Sequence, residues 1–280
     1  MSRPRVLLLF PLFSSIALAQ SASTASTVPA LAQKPNEPVT LPIVLTRSVS
    51  AETSHAGDPV FARTTQRVQL ANGAVIPPGA TVSGYVLQAV PFVYDRTPYA
   101  KQRPGTLTIQ FDSIAVKGSS VPLQVTIRAM ADPLSSWGAR TPNQSAGDSS
   151  IETMTQVGGD QLTRAQSEVV SPHGDVVAYN RHGGVYAHLI ASRECDASST
   201  EVSVGIFSAS ACGLYGYGEV TAEDRGSLAN PSKLTLSSTR YSPKIWKNST
   251  ALLETLPLQP GSNRTRAEVA IAGHGGAAGQ

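Results

Sequence analysis

The chain has 280 residues, 41% of them hydrophobic and only 15% charged, with a formal net charge of +3. Without a run of Lys or Arg it lacks the electrostatic footprint of a nucleic-acid binder and the polybasic segment that holds a protein on an anionic membrane. Its 23 Gly and 20 Pro leave few windows free of helix breakers, so composition favours an all-β fold of short antiparallel strands, as a barrel or a sandwich.

Residues 1–19 have the layout of a secretory signal peptide: Arg3 and Arg5, an apolar run from Val6 to Leu18, and the small residues Ala17 and Ala19 before Gln20. The run is about 13 residues and contains Pro11, short of the roughly 20 apolar residues of a spanning helix. Cleavage leaves a net charge of +1 (+3 less Arg3 and Arg5) and no stable membrane span. The expected location is the periplasm, the cell envelope or the extracellular space. No Cys follows the apolar run, which argues against a lipid anchor. Residues 20–40 are Ala, Ser, Thr, Gln and Pro with little to bury, and read as a disordered linker.

A β domain is expected over 41–258, with a two-halves alternative, 41–131 and 160–258, around a polar insertion at 132–159. Ile43 to Leu45 opens it, Ala56 to Pro59 is a turn, and Val60 to Leu70 is a second strand. Asn72-Gly73 suits a tight hairpin turn, and Pro77-Pro78-Gly79 is another. Val82 to Val90 is a further strand, whose Gly84 marks a bulge or a close backbone approach. Leu107, Ile109 and Phe111 alternate with polar residues. After Lys117 to Ser120, so do Val121, Leu123, Val125 and Ile127, which predicts a hairpin with one buried face.

The insertion 132–159 is polar, with Trp137 its one large anchor, and reads as a long loop. Gln161 to Val169 reads as a short helix capped by Asp160. Strand patterns resume at 176–180, 184–190, 201–208, 213–220, 234–236 and 252–256. Residues 259–280 read as a flexible tail.

Cys195 and Cys212 are the only cysteines. In an exported chain an even count points to a bridge, here stapling a hairpin at its base. Two free thiols, or a nucleophilic Cys served by His173, His182 or His188, are the alternatives. Those three histidines and Asp175 match no zinc spacing; Asn180 to Gly184 is better read as a hairpin turn. Gly158-Gly159 and Gly183-Gly184 are not phosphate loops, and no Gly-x-Ser-x-Gly elbow occurs. No catalytic, cofactor or metal residue is assigned. Tyr215 and Tyr217, on a Gly-spaced stretch, either pack over a neighbouring strand or form a contact surface with Phe92, Tyr94 and Trp137.

The opening strand (Ile43 to Leu45), the turn at Gly57 to Val60, IPPGATVSGYV (Ile76 to Val86), LTIQFDSIAV (Leu107 to Val116) and VPLQ (Val121 to Gln124) occur in that order. In this, residues 41–127 resemble the β-barrel domain of the TrbI family of conjugative-transfer and type IV secretion channel proteins. The resemblance implies a barrel in the bacterial envelope. A leader-like segment stands where that family has a cytoplasmic segment and a membrane helix, and 132–159 is too polar for the pore-forming antenna. The implied part is therefore the barrel without the channel.

The functional expectation is a non-catalytic envelope or scaffold module that binds other proteins, with a second copy of the chain as a further candidate partner. Open strand edges would be the docking surface. A carbohydrate or cell-wall binding module using Tyr215 and Tyr217 is the alternative, and a hydrolase a third reading.

Overall fold

The computed structural model describes residues 39–69, 75–98, 101–142, 152–223 and 233–255. The leader, the linker up to residue 38, the Asn72-Gly73 turn and the tail 259–280 lie outside the described residues. In chain order the strands are β1 (Val39–Leu45), β2 (Val49–Ser50), β3 (Pro59–Thr64), β4 (Val68–Gln69), β5 (Val75–Ile76), β6 (Thr81–Val90), β7 (Gly105–Val116), β8 (Ser119–Pro122) and β9 (Val125–Ala131). A short helix, α1 (Pro133–Gly138), follows. Then come β10 (Thr153–Thr155), β11 (Gln161–Thr163), β12 (Glu168–Val170), β13 (Val176–Arg181), β14 (Gly184–His188) and β15 (Glu201–Ser203). The last strands are β16 (Gly213–Tyr215), β17 (Thr221–Glu223), β18 (Lys233–Ser238), β19 (Lys244–Ile245) and β20 (Thr250–Thr255).

The fold is nearly all-β. Ten strands form one sheet in the order β16-β9-β20-β1-β3-β6-β7-β18-β17, with β8 beside β7. Its ends, β16 and β17, follow one another in the chain and lie side by side, so the sheet is nearly closed into a barrel. All its pairs are antiparallel except β16 with β9. Alternation builds the interior: Leu41, Ile43 and Leu45 of β1, Val82 and Val86 of β6, Leu107, Ile109 and Phe111 of β7, and Leu234 and Leu236 of β18 all point inward and are buried. Each such side chain is worth about 1.5–3 kcal/mol of burial. At Gly84 the register of β6 on β7 shifts. A Cβ there would fall 2.0 Å from the Gln110 carbonyl oxygen, so the strands can approach this closely only at a glycine.

Residues 153–203 form a second, six-stranded antiparallel sheet in chain order, β10 to β15. The ten-stranded sheet therefore draws its strands from 39–131 and 213–255, and the segment 160–258 divides between the two sheets. Val169, Ala178, Ala187 and Val202 line the buried face of the second sheet. A third apolar cluster joins the barrel's outer face to the 205–212 segment: Ala129 and Ala131 of β9 and Leu252 of β20 pack with Val157, Phe207 and Ala211. Strand β9 is thus covered on both faces.

Three expectations are corrected. The arm after the Lys117 turn is not one strand: β8 stays on β7, but β9 leaves it to pair with β20, because its outer face is needed by the third cluster. Gln161 to Val169 is not a helix but β11, a turn and β12. Leu162 and Ala165 offer too little apolar stripe to hold a helix, and the Asp160 carboxylate accepts from Ala209 N (3.0 Å) instead of capping one. Nor is the described part of 132–159 a plain loop. It contains α1, with Asp132 as N-cap and Pro at N1, and β10; residues 143–151 are outside the described residues.

Candidate functional site

Arg128 organises the junction between the two sheets. It projects from the outer face of β9 into a fully enclosed position. Its Nε donates to Ala211 O (3.0 Å), Nη2 to Ile190 O (2.8 Å), and Nη1 to Asp196 O (2.7 Å) and Glu254 Oε1 (3.0 Å). A buried guanidinium is tolerable only when its donors are matched, and here three backbone carbonyls and a carboxylate match them. The Cys195–Cys212 bridge (S–S 2.12 Å, Cα–Cα 5.9 Å) lies alongside, with Cys195 Sγ 3.5 Å from Arg128 O. The bridge forms as expected, but it does not close a hairpin. It ties the 190–198 loop of the second sheet to the residue leading into β16 of the barrel.

Next to this junction lies an open cavity of about 400 Å³, walled by Ser135, Gly138 and Ala139 of the α1 region, Thr155, Gln156 and Val157 at the end of β10, and Tyr215 and Gly216. Gln156 is only 3% exposed. Its Nε2 donates to Gly205 O (3.2 Å), while its Oε1 is buried with no partner among the described residues. Tyr215 is braced from behind: its OH accepts from Cys212 N (3.1 Å) and its carbonyl from Asp132 N (3.0 Å). Gly216 has a left-handed backbone, and a Cβ there would fall 2.2 Å from Asp132 Oδ1 and 2.7 Å from Ser135 Oγ. Only glycine leaves room beside those two polar groups.

A third feature is the far end of the β6–β7 hairpin. Phe92 is half-buried against Gly105, where a Cβ would lie 2.9 Å from its own, and Phe92 N donates to Ser242 Oγ (3.0 Å). Just beyond this anchor Val93 and Tyr94 are 71% and 74% exposed, and Val90 is exposed before it. Asp95 folds back to accept from Thr97 N (2.8 Å), and this bonding with Thr97 holds its carboxyl below its ordinary range.

The five predicted contact aromatics therefore separate. Tyr94 is exposed on the hairpin end and Phe92 anchors it. Trp137 is 65% exposed on α1, where a contact-surface residue was expected. Tyr215 lines the cavity. Tyr217 is not a surface residue. It is 7% exposed, packs on Trp246 with ring centroids 5.5 Å apart, and donates its OH to Ser249 Oγ (3.0 Å); burial pushes its phenol pKa up. Sequence reasoning missed Gln156 and Arg128, for which no local signal exists. It also missed α1, for which Asp132-Pro133 is the usual N-cap and N1 signal.

His173, in the β12–β13 turn, His182, in the β13–β14 turn, and His188, at the end of β14, are all exposed. Among the described residues no group of three or more His, Cys, Asp or Glu side chains could hold a metal ion, and no helix there is long and apolar enough to cross a membrane. Asp160 carries a raised carboxyl pKa, caused by burial and opposed by its bond from Ala209 N.

No family model matches the chain, and neither does any curated protein or solved structure.

Proposed function

We propose that the protein is an exported, non-catalytic module of the cell envelope that binds other proteins through the end of its β6–β7 hairpin. The carrying observation is the pairing of a pinned Phe92 with a fully presented Val93 and Tyr94. Large side chains held out beside a fixed anchor lose little freedom on binding, and a Tyr with an adjacent aliphatic is the make-up of an interface anchor. The same loop carries Arg96, Lys101 and Arg103 against a single Asp95, so the matching partner surface is an apolar recess with an acidic rim. The leader-like residues 1–19 and the Cys195–Cys212 bridge support export. The resemblance of 41–127 to TrbI barrels adds an envelope setting.

Native sizing of the untagged protein from gently solubilised envelopes tests this. The expected result is an assembly much larger than one chain, reduced to the free chain by Val93→Ser with Tyr94→Ser. A wild-type chain that runs alone, or an assembly indifferent to the double variant, overturns the proposal.

A further inference from the structure

We propose that the partner of the hairpin end is a second copy of this chain, with Val93 and Tyr94 of each copy seated in the other's cavity between α1, β10 and β16. This rests on the protein-binding reading above and names its partner.

That reading calls for an apolar recess with an acidic rim, and the chain carries one. Val157, Ala139 and Tyr215 form the apolar part of the wall, and no Lys or Arg lines it. The volume of about 400 Å³ falls within the range of sites that enclose a ligand and takes one tyrosine and one valine side chain. The stretches that wall it, 132–140, 152–160 and 211–219, carry Asp132, Glu152, Asp160 and Glu219 against Arg140 alone. Glu152 and Glu219 stand exposed in surface ion pairs with Arg164 and Arg240, which exchange partners at little cost. The hairpin end, 90–104, has the opposite balance, Arg96, Lys101 and Arg103 against Asp95. Opposite charge on two surfaces of one chain draws copies together and fixes their register.

The placement of the two features lets both engage at once. β9, β20, β1, β3 and β6 are each antiparallel to the next, so β6 and β9 run in the same direction. The hairpin end after Val90 and α1 after Ala131 therefore stand at one end of the barrel. In the sheet order β9 and β6 are four strands apart one way and five the other, which puts them on opposite sides of the nearly closed circle. A two-fold rotation that sets two barrel ends face to face brings each hairpin to the other copy's cavity. Such a self-complementary interface closes at two copies, and the pair is the smallest unit of any larger envelope assembly. Leu134 and Trp137, exposed on α1 beside the cavity, and the exposed Val90 belong to the same barrel end and are covered with it.

Sedimentation velocity of the purified full chain over a series of concentrations tests this. The expected wild-type species has twice the mass of one chain. Val93→Ser with Tyr94→Ser, and separately Gly138→Leu, should each raise the dissociation constant at least roughly thirtyfold, the effect of losing a buried anchor. The Cβ added at Gly138 meets no atom within 4 Å, so the melting temperature of that variant should stay near wild type. Chains carrying Val93→Cys mixed with chains carrying Gly138→Cys should give, on mild oxidation, a disulfide-linked pair that neither gives alone. A chain that stays single at every concentration overturns the proposal, as does a pair untouched by Gly138→Leu or the absence of the mixed disulfide. If the envelope assembly falls apart with the hairpin double variant but withstands Gly138→Leu, the hairpin binds a different protein, and this proposal fails while the protein-binding reading stands.

Discussion

Gln66 and Val185 exchange two hydrogen bonds: Gln66 Nε2 donates to Val185 O (3.1 Å) and Val185 N donates to Gln66 Oε1 (3.2 Å). The side-chain amide acts as one more peptide unit, pairing the barrel's β3–β4 connection with β14 of the second sheet. Ser203 Oγ also meets Gln66 Nε2, and Thr40 Oγ1 donates to Ser203 O, so the same patch is tied to β1. Gln66→Leu would take the Gln66 partner from the buried Val185 N–H, while Val185 O keeps its bond from Val204 N (2.9 Å), at about 1–3 kcal/mol. Denaturant unfolding should show that loss, and the Val185 amide should exchange faster. Gly184→Ala should mimic it, because a Cβ there would fall 2.1 Å from Gln66 Oε1 and φ is +148°. A wild-type midpoint for Gly184→Ala would contradict the pairing.

Arg128 and Glu254 should respond unequally to substitution. Glu254→Gln removes the charge but leaves the guanidinium with three carbonyl acceptors and an amide oxygen, so roughly 1 kcal/mol is expected. Arg128→Met strips donors from Ala211, Ile190 and Asp196 and leaves the Glu254 carboxylate without its cation, with only the Thr126 hydroxyl donating to it (3.4 Å), for about 3–5 kcal/mol. Urea titrations of both variants check the order, and a larger loss for Glu254→Gln would refute it.

Cys195→Ser with Cys212→Ser should cost about 2–4 kcal/mol, mainly through the freedom regained by the unfolded chain. Because Cys195 borders Arg128 and Arg128 holds the Asp196 carbonyl, adding Arg128→Met to the serine pair should cost less than the two separate losses together. A double-mutant cycle measures this; strict additivity would mean that bridge and guanidinium hold the 190–198 loop independently.

Asp160 predicts a pH dependence of definite sign. Burial raises its carboxyl pKa in the folded protein above the ordinary carboxylate value, so the folded state keeps this proton to higher pH than the unfolded chain does. Its contribution to stability therefore falls as pH rises from the unfolded pKa to the folded one, and stays low above that. Asp160→Asn retains an acceptor for Ala209 N without the buried charge. Its stability relative to wild type should be greater at pH 7 than at pH 4, measured by urea midpoints at both. The opposite order would show that the Ala209 bond outweighs desolvation.

Much of the barrel was legible in the residue order. Period-two runs in β6, β7 and β18 name their inward side chains, because side-chain direction alternates along any strand and a half-buried strand must put its apolar residues on one side. The His182-Gly183 turn, the Pro77-Pro78-Gly79 turn, the bulge at Gly84 and the cysteine pair were readable for the same reason: each depends on a few neighbouring residues. The three-residue strands β10 to β12 were not, since three residues are too few to show a period and Gln161 to Val169 admits either reading.

Tertiary structure alone decided which strands meet. The apolar alternation of β9 fits β7 as well as β20, and closure of the sheet, with a third cluster waiting on the outer face of β9, selects β20. The same closure buries Tyr217 on Trp246, leaves Trp137 outside, and brings Ser135, Gln156 and Tyr215 from distant stretches around one cavity. A single side chain's local pattern carries its facing direction, whereas its neighbours across the fold are set by how all the strands close together.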